Sequence, residues 1–532
     1  MRVAVIGAGV AGLATAKVLT QAGHDVQVFD KTPDVGGVWS RTRQYPGLTT
    51  QSPKAQYSLS DFPMPKDCPE WPSGTQVQSY LASYATAFGL DRALRLSTEV
   101  TAARPLADGR WAVDTRTASG AESTEEFDRL VVANGVFCEP AIPHYPGREE
   151  FTEAGGRLCA GTEFHEAEEA RGKRVLVVGY GKSACDITVA ISRTAAGTDV
   201  IARQLLWKVP RRIGGLLNFK MLLLTRMGKA LFRYRYLRGL EKFLHGPGDR
   251  ARRNMLNSVG SVSVRQFKLR KLGLLPSGTM EGIITGAIGL ATEGFFEGVA
   301  DGTITVHRDR TITALGAREG KPIAELSDGS ALPADLVVCA TGFTQGVPFL
   351  GADVQERLLD ERGNFMLYRQ VLPVDVPGLY FNGYNSSFLS PPNAEMAAVW
   401  IAADLAGELP LPDRPAMRQA VVDQLAFMDI ATDRHHSRGT KIIPFSMHHV
   451  DEMLDDLDLN ININKLVRAT HWLNPIAPAA YRHVTPTLLQ RIAAADHRRA
   501  SPRTADGPVD TGRERQGAPT VSSPLPADPM SG

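Results

Sequence analysis

Residues 1–30, MRVAVIGAGVAGLATAKVLTQAGHDVQVFD, decide the fold. Val3 to Ile6 is a short apolar run, and it ends on Gly7-Ala8-Gly9-Val10-Ala11-Gly12, which opens a helix-like segment. That glycine spacing suits a strand–turn–helix unit that takes a dinucleotide. Gly7 permits the tight turn, Gly9 lets a pyrophosphate approach the backbone, and Gly12 lets helix and strand pack closely. The phosphates then meet free N–H groups and the positive dipole end of the helix. A second run, Val26-Gln27-Val28-Phe29, closes on Asp30, 23 residues after Gly7. A carboxylate at that distance accepts hydrogen bonds from a ribose diol. The glycines alone are a weak signal; strand, glycines and acid in order make a fingerprint.

The unit occurs twice. Arg174 to Val178 leads into Gly179-Tyr180-Gly181-Lys182-Ser183-Ala184, with alanine as a tolerated third position. Its second strand, Asp199 to Ala202, closes on Arg203 instead of an acid. A guanidinium clamps a 2′-phosphate with parallel hydrogen bonds, whereas a carboxylate would repel it. This site is therefore predicted to take NADPH rather than NADH. Lys208, Arg211 and Arg212 follow and add charge, and Lys182, inside the turn, is a candidate phosphate contact. Two such units predict an α/β fold with two Rossmann-like dinucleotide-binding domains, one for FAD and one for NADPH, the second inserted in the first.

The bulk properties narrow the class further. The 59 Lys and Arg nearly balance the 57 Asp and Glu across 532 residues, so no overall field argues for nucleic acid. Five cysteines lie scattered, at neither metal nor redox spacing. The adjacent pairs His435-His436 and His448-His449 do not suit a metal, because neighbouring helical residues do not face one site. No export signal is expected at the start, and Ile283 to Ala291 is too short to span a bilayer. A soluble, cytoplasmic chain is the expectation.

The expected order is an FAD-binding part at 1–168, an NADPH-binding part at 169–330, a second FAD-binding part at 331–406 and a helical extension at 407–495. Helical periodicity around Leu216 to Leu244 marks an insert at about 204–300. Residues 203–253 hold 14 Lys and Arg against Glu241 and Asp249. A solvated face around a packed helix and NADPH is favoured over peripheral docking on an anionic membrane. The stretch 496–532 is poor in large apolar residues and is expected to stay disordered.

With these features in place, further segments resemble the flavin-containing monooxygenases and their Baeyer–Villiger relatives. They are Gly36-Gly37-Val38-Trp39, VVANGVFCEPAIPHYPG at 131–147, Gly161-Thr162-Glu163-Phe164-His165, RQLLWKVPR at 203–211, DLVVCATGF at 335–343, GLYFNGY at 378–384 and Asn393-Ala394-Glu395. The likeness covers about residues 1–400. It implies that Lys31, Gly37, Val38, Trp39, Ser183, Ala184, Thr341 and Gly342 join the two glycine turns, Asp30 and Arg203 in holding the cofactors. His165 is expected to stabilise a linker, and Trp39, Tyr45 and Tyr57 are candidates for the substrate side or for packing.

The sequence also departs from the family. Cys159 and Glu169 replace aromatic positions of the fingerprint around His165, and Thr49 and Gln51 stand where Baeyer–Villiger members carry Arg and Asp after Tyr45-Pro46-Gly47. The resemblance implies hydride transfer from NADPH to FAD, then reaction with dioxygen through a flavin hydroperoxide. The oxygen is expected to reach nitrogen or sulfur of a small organic substrate, with ketone insertion as the alternative. Gln51 is the candidate catalytic side chain, as an amide near the flavin, or equally a loop-satisfying group. Transfer of electrons to a disulfide would need neighbouring thiols, which this sequence lacks. A protein that binds FAD only as structure would have no use for Arg203 and a second turn.

Overall fold

Runs of β-branched and other apolar residues such as VAVI at 3–6 and VLVV at 175–178 are buried on both faces, as parallel strands require. A computed structural model describes residues 1–278, 281, 289–385, 387–441, 446–459 and 472–500. The first five strands of its two main sheets are β1 (Arg2–Ile6), β2 (Asp25–Phe29), β3 (Leu94–Arg95), β4 (Arg129–Val132) and β5 (Arg157–Ala160). The other five are β6 (Arg174–Val178), β7 (Gly197–Ala202), β8 (Thr305–Arg308), β9 (Leu336–Cys339) and β10 (Leu379–Phe381). One sheet runs β10-β4-β1-β2-β3 and the other β8-β7-β6-β9-β5, every pair parallel.

In each sheet the glycine turn follows the middle strand, where the chain departs to one side and returns on the other. Such a switch point opens a crevice at the carboxyl ends of the strands. α1 (Val10–Gln21) follows β1, and α2 (Lys182–Ile191) follows β6. Gly7 adopts a φ of 111°, and a Cβ there would lie 2.5 Å from the Ala133 carbonyl oxygen beyond β4. Gly179 repeats this with a φ of 125° and a Cβ position 2.5 Å from the Ala340 oxygen beyond β9. α1 is buried on nearly every side, because α3 (Ser390–Leu405) covers it. Asn382 joins the two, donating to Thr15 Oγ1 at 2.8 Å and to the Ala394 carbonyl at 2.9 Å.

The sheet boundaries differ from those expected at 168/169 and 330/331. β5 lies before the first and β9 after the second, yet both belong to the second sheet, with Val175 in register with Leu336 and Cys339 beside Ala160. A short apolar run buried on both faces reads alike in either sheet. The chain crosses between the sheets twice, and the crossings pair antiparallel at Phe343–Thr344 and Glu139–Pro140.

The insert is more broken than its periodicity suggests. It holds a two-strand hairpin (Arg212–Ile213 with Leu217–Asn218) and three helices of four or five residues before the long helix Asp249–Gln266. Thr225 caps one short helix by accepting from Gly228 N–H, and Gly239 turns the chain with a φ of 50°. Its basic side chains largely meet acids elsewhere in the chain. Arg226, Arg235 and Arg238 pair with Asp451, Glu452 and Asp455 of α4 (Ser446–Asp456), and Lys220 pairs with Glu70.

Met1–Ile492 fold as one unit. The helix Val484–Ala500 runs past the expected end of the extension, and residues 501–532, most of the expected tail, lie outside the described residues. No helix among the described residues is long and apolar enough to cross a membrane.

A Cβ at Gly12 would fall 1.8 Å from the Gly7 carbonyl oxygen, and backbone cannot swing away as a side chain can. Gly12→Ala is therefore expected to cost about 1–3 kcal/mol, as overpacking does. Ala184, the matching residue of α2, is already buried, so Ala184→Gly relieves no clash and should cost about 1–2 kcal/mol, from the lost methyl group and the greater backbone freedom of glycine. Denaturant unfolding of both variants checks both costs.

Candidate functional site

A cavity of about 840 Å³ opens at the first glycine turn. Its wall includes Gly7, Gly9, Asp30, Lys31, Gly37, Val38 and Trp39, which lie far apart in the sequence order of the two strands and the following loop. Gly9 starts α1, and a Cβ on it would lie 3.5 Å from Gly37 Cα, so two glycines face each other across the turn. Asp30 fixes the turn from the end of β2. Its Oδ2 accepts from Ala8 N–H at 2.6 Å, and its Oδ1 accepts from the Thr32 amide and hydroxyl. An ionised carboxylate offers roughly four acceptor positions, so about one remains open to the cavity.

Trp39 and Tyr57 form one wall. The indole Nε1–H donates to the Tyr57 hydroxyl at 2.8 Å, and the rings meet edge-on at 5.5 Å. Burial pushes the Tyr57 phenol up to about 12. Lys31 is exposed and pairs with Glu139 at 2.9 Å. Ser390 and Ala394 bring the first turn of α3 to the cavity, so the positive ends of two helices, α1 and α3, point towards it.

The second turn is tied to the first half of the molecule. The Tyr45 hydroxyl donates to Ser183 Oγ at 2.8 Å. Lys182, largely buried, donates to Asp186 and to Thr49 Oγ1, and Arg211 donates to the same Thr49 oxygen at 3.0 Å. Burial depresses the Lys182 ammonium and raises the Asp186 carboxyl, and each opposes the other's shift. Asp186 also accepts from Thr292 Oγ1 at 2.6 Å. Lys182 thus faces inward as a bridge. Lys208 is buried too, donating to the Tyr180 carbonyl at 2.6 Å and thereby bracing the turn. By contrast Arg203 stands exposed just beyond β7, and nothing lies within 4 Å of a Cβ built on Gly181.

The remaining residues singled out by sequence fall in different places. Gln51 is half-buried beside the second half of the chain, where its Oε1 accepts from Leu290 N–H at 3.3 Å, and it is not part of the cavity wall. Thr341 and Gly342 hold the crossing between the sheets. Thr341 Oγ1 donates to the Ala141 carbonyl, and the Ala141 amide donates to the Gly342 carbonyl. His165 Nδ1 sits 3.0 Å from the Gln44 carbonyl, on a linker. The paired histidines face apart: His448 meets Glu241, while His449 meets the Arg369 carbonyl.

Three further cavity residues are not among those the sequence names individually. Arg43 reaches in to donate to the Phe137 and Cys138 carbonyls, and its burial lowers the guanidinium pKa. Asn134 accepts from the Tyr384 hydroxyl at 2.8 Å and donates to the Gly346 carbonyl at 2.9 Å. Arg438 arrives from the C-terminal region and donates to the Gln345 carbonyl at 2.8 Å. Asn134 alone had a local clue, its place at the end of an apolar strand in VVANG.

Known proteins resemble this chain in sequence and in fold. Residues 1–245 match the FMO-like family, described as flavin-binding monooxygenase-like. A probable flavin-containing monooxygenase 1 of Arabidopsis thaliana is 29% identical over 509 residues, covering 86% of this chain and 92% of its own. Among solved structures, S-allyl-L-cysteine S-oxygenase from Allium sativum superposes with a TM-score of 0.58 at 19% identity, covering 94% of this chain and 98% of its own. Cyclohexanone monooxygenase from Rhodococcus sp. Phi1, bound to NADP+, gives a TM-score of 0.62 at 18% identity, covering 88% and 98%. At those identities the structural likeness speaks for the α/β fold with parallel sheets.

Proposed function

We propose that this chain, which belongs to the flavin-binding monooxygenase-like family and is an NADPH-dependent flavin monooxygenase, transfers one oxygen atom to nitrogen or sulfur of a small organic substrate. The observation that carries the reading is the pair of glycine turns, each at the switch point of its own parallel sheet. FAD fits the first. The facing Gly9 and Gly37 leave a backbone-lined slot for a pyrophosphate at the α1 N-terminus, and Asp30 has an acceptor position left for ribose. NADPH fits the second, where Gly181 leaves open approach to α2 and Arg203 is exposed at the end of β7. The two units then make FAD- and NADPH-binding domains of Rossmann type, the second inserted in the first.

Gly9, Gly37 and Asp30 would hold a flavin whose redox chemistry, once it is bound, would link hydride from NADPH to dioxygen. The chain's own part is to bind and to exclude water. Trp39 and Tyr57 close one wall with their rings, and the indole N–H is spent on the Tyr57 oxygen, which leaves the phenol O–H as the only donor of this pair. Lys182 and Tyr45 hold the second turn against the loop of residues 45–49, which fixes the distance between the two nucleotide sites. Gln51, anchored on Leu290 N–H through its oxygen, keeps an amide N–H₂ for the same region.

Transfer to nitrogen or sulfur is favoured by the uncharged Thr49 and Gln51. The reading of ketone insertion rests on a different observation. Arg211 and Lys182 both donate to Thr49 Oγ1, so cationic groups converge where the loop itself has none. Each is already paired, Lys182 with Asp186 and Arg211 with Glu293 at 3.4 Å, which weakens their hold on a further anion.

Two outcomes are expected. Arg203→Ala should weaken NADPH binding by about 1.5–3 kcal/mol, the worth of a hydrogen bond to a charged group, while NADH use hardly changes. Equal loss with both coenzymes removes Arg203 from the 2′-phosphate. For the reaction, mass spectra of products from tertiary amines, thioethers and ketones supplied with NADPH should show N-oxides or sulfoxides. Lactones or esters as the main products would establish the ketone reading instead.

A further inference from the structure

A second cavity, of about 190 Å³, lies between residues 226–241 and α4 and shares no wall residue with the first. Its charged walls are nearly all paired. Arg226 donates to both oxygens of Asp451, and Arg238 donates to Asp455 at 2.9 Å. Glu241 meets His448 at 2.7 Å, and Glu452 accepts from Arg235, Arg369 and the Tyr234 hydroxyl. Lys229 is the exception. It is only 4% exposed, its Nζ donates to Ser446 Oγ at 2.6 Å, and among the described residues no carboxylate lies within ion-pair distance of it.

A buried ammonium without a counter-ion is an unstable arrangement unless something supplies the charge. Ser446 opens α4, so the positive end of an eleven-residue helix adds to the same potential. One unpaired cation matches a monoanion; a phosphate dianion would bring a second charge with nothing to meet it. Met447, Tyr236 and Trp472 give the cavity an apolar and aromatic face. Its volume is several times the roughly 30 Å³ that a water occupies in the liquid. We propose that this cavity is a binding site for a small aromatic monocarboxylate, whose carboxylate group pairs with Lys229 Nζ. The site stands independently of the reaction at the glycine turns.

Burial holds Lys229 at about 7, and no neighbouring carboxylate offsets it. Binding the anion therefore takes up a proton wherever the free amine is neutral. The other groups facing the site, Arg226, Arg238, Glu241, His448, Asp451 and Glu452, keep the partners they already have.

Calorimetric titration of the full-length protein with benzoate tests this. Wild type is expected to bind, and above pH of about 7 each further unit should weaken binding about tenfold as one proton enters with the anion. Lys229→Met, which removes a buried charge, should keep the fold and lose about tenfold or more in affinity. The neutral analogue benzamide should not bind. Absence of benzoate binding, or equal binding by Lys229→Met, overturns the proposal. Should that variant fail to fold, the wild-type pH profile decides alone, and a flat profile overturns it.

Discussion

At Gly12 the first helix lies so close to the strand before it that one methyl group would meet the Gly7 carbonyl oxygen at 1.8 Å. Much else follows from that approach. It draws α1 under the carboxyl ends of β1 and β4, where α3 can cover it and where Asn382 can reach both helices. The buried Lys17 on α1 then needs a counter-charge, which Asp61 and Glu395 supply from a loop and from α3. Glu395 accepts in turn from the Ser60 amide and hydroxyl, so the charge is spread through hydrogen bonds rather than left bare. The large cavity is the space that remains outside this packed turn.

The second constraint is polar. The turn at Gly179 to Ala184 could pack on its own sheet in isolation, but Tyr45, Thr49, Lys182, Asp186 and Arg211 bind it to the loop that follows the first turn. Gly47 sits so near that a Cβ there would lie 2.7 Å from the Asp186 carbonyl oxygen. These contacts tie the two halves together at a fixed spacing. The basic insert is anchored differently, by pairing with the acidic face of α4. Its apolar residues Leu216, Tyr236 and Phe243 remain exposed, 87%, 54% and 54% respectively, while Leu231, Phe232 and Tyr234 pack against Phe427, so charge pairing and burial together decide where it sits.

What the sequence tells of this molecule depends on how local the requirement is. A backbone that must bend tightly or admit a helix needs glycine at particular places, so Gly7, Gly12 and Gly179 can be read directly, and their strands with them. Asp30 is legible because its distance from the turn is set by one helix and one strand. Sheet membership is not local: β9 looks like a returning strand of the first sheet, and its registers with β6 and β5 place it in the second. Arg43, Asn134 and Arg438 reach the cavity from three separate regions, which no spacing rule connects. Lys182 reads as a phosphate contact from its place in the turn, yet Asp186, one helical turn on, draws it inward. The pairing of residues 226–238 with 451–455 was equally hidden, although both the basic run and the acidic run are plain in the sequence.

The proposed hydride path runs from NADPH at the second turn to FAD at the first. Anaerobic mixing of the purified FAD-loaded protein with NADPH, followed by visible absorbance, tests it most directly. NADPH is expected to bleach the flavin, NADH to do so far less effectively, and air to restore the oxidised spectrum. A protein that holds FAD yet stays oxidised under NADPH would contradict it.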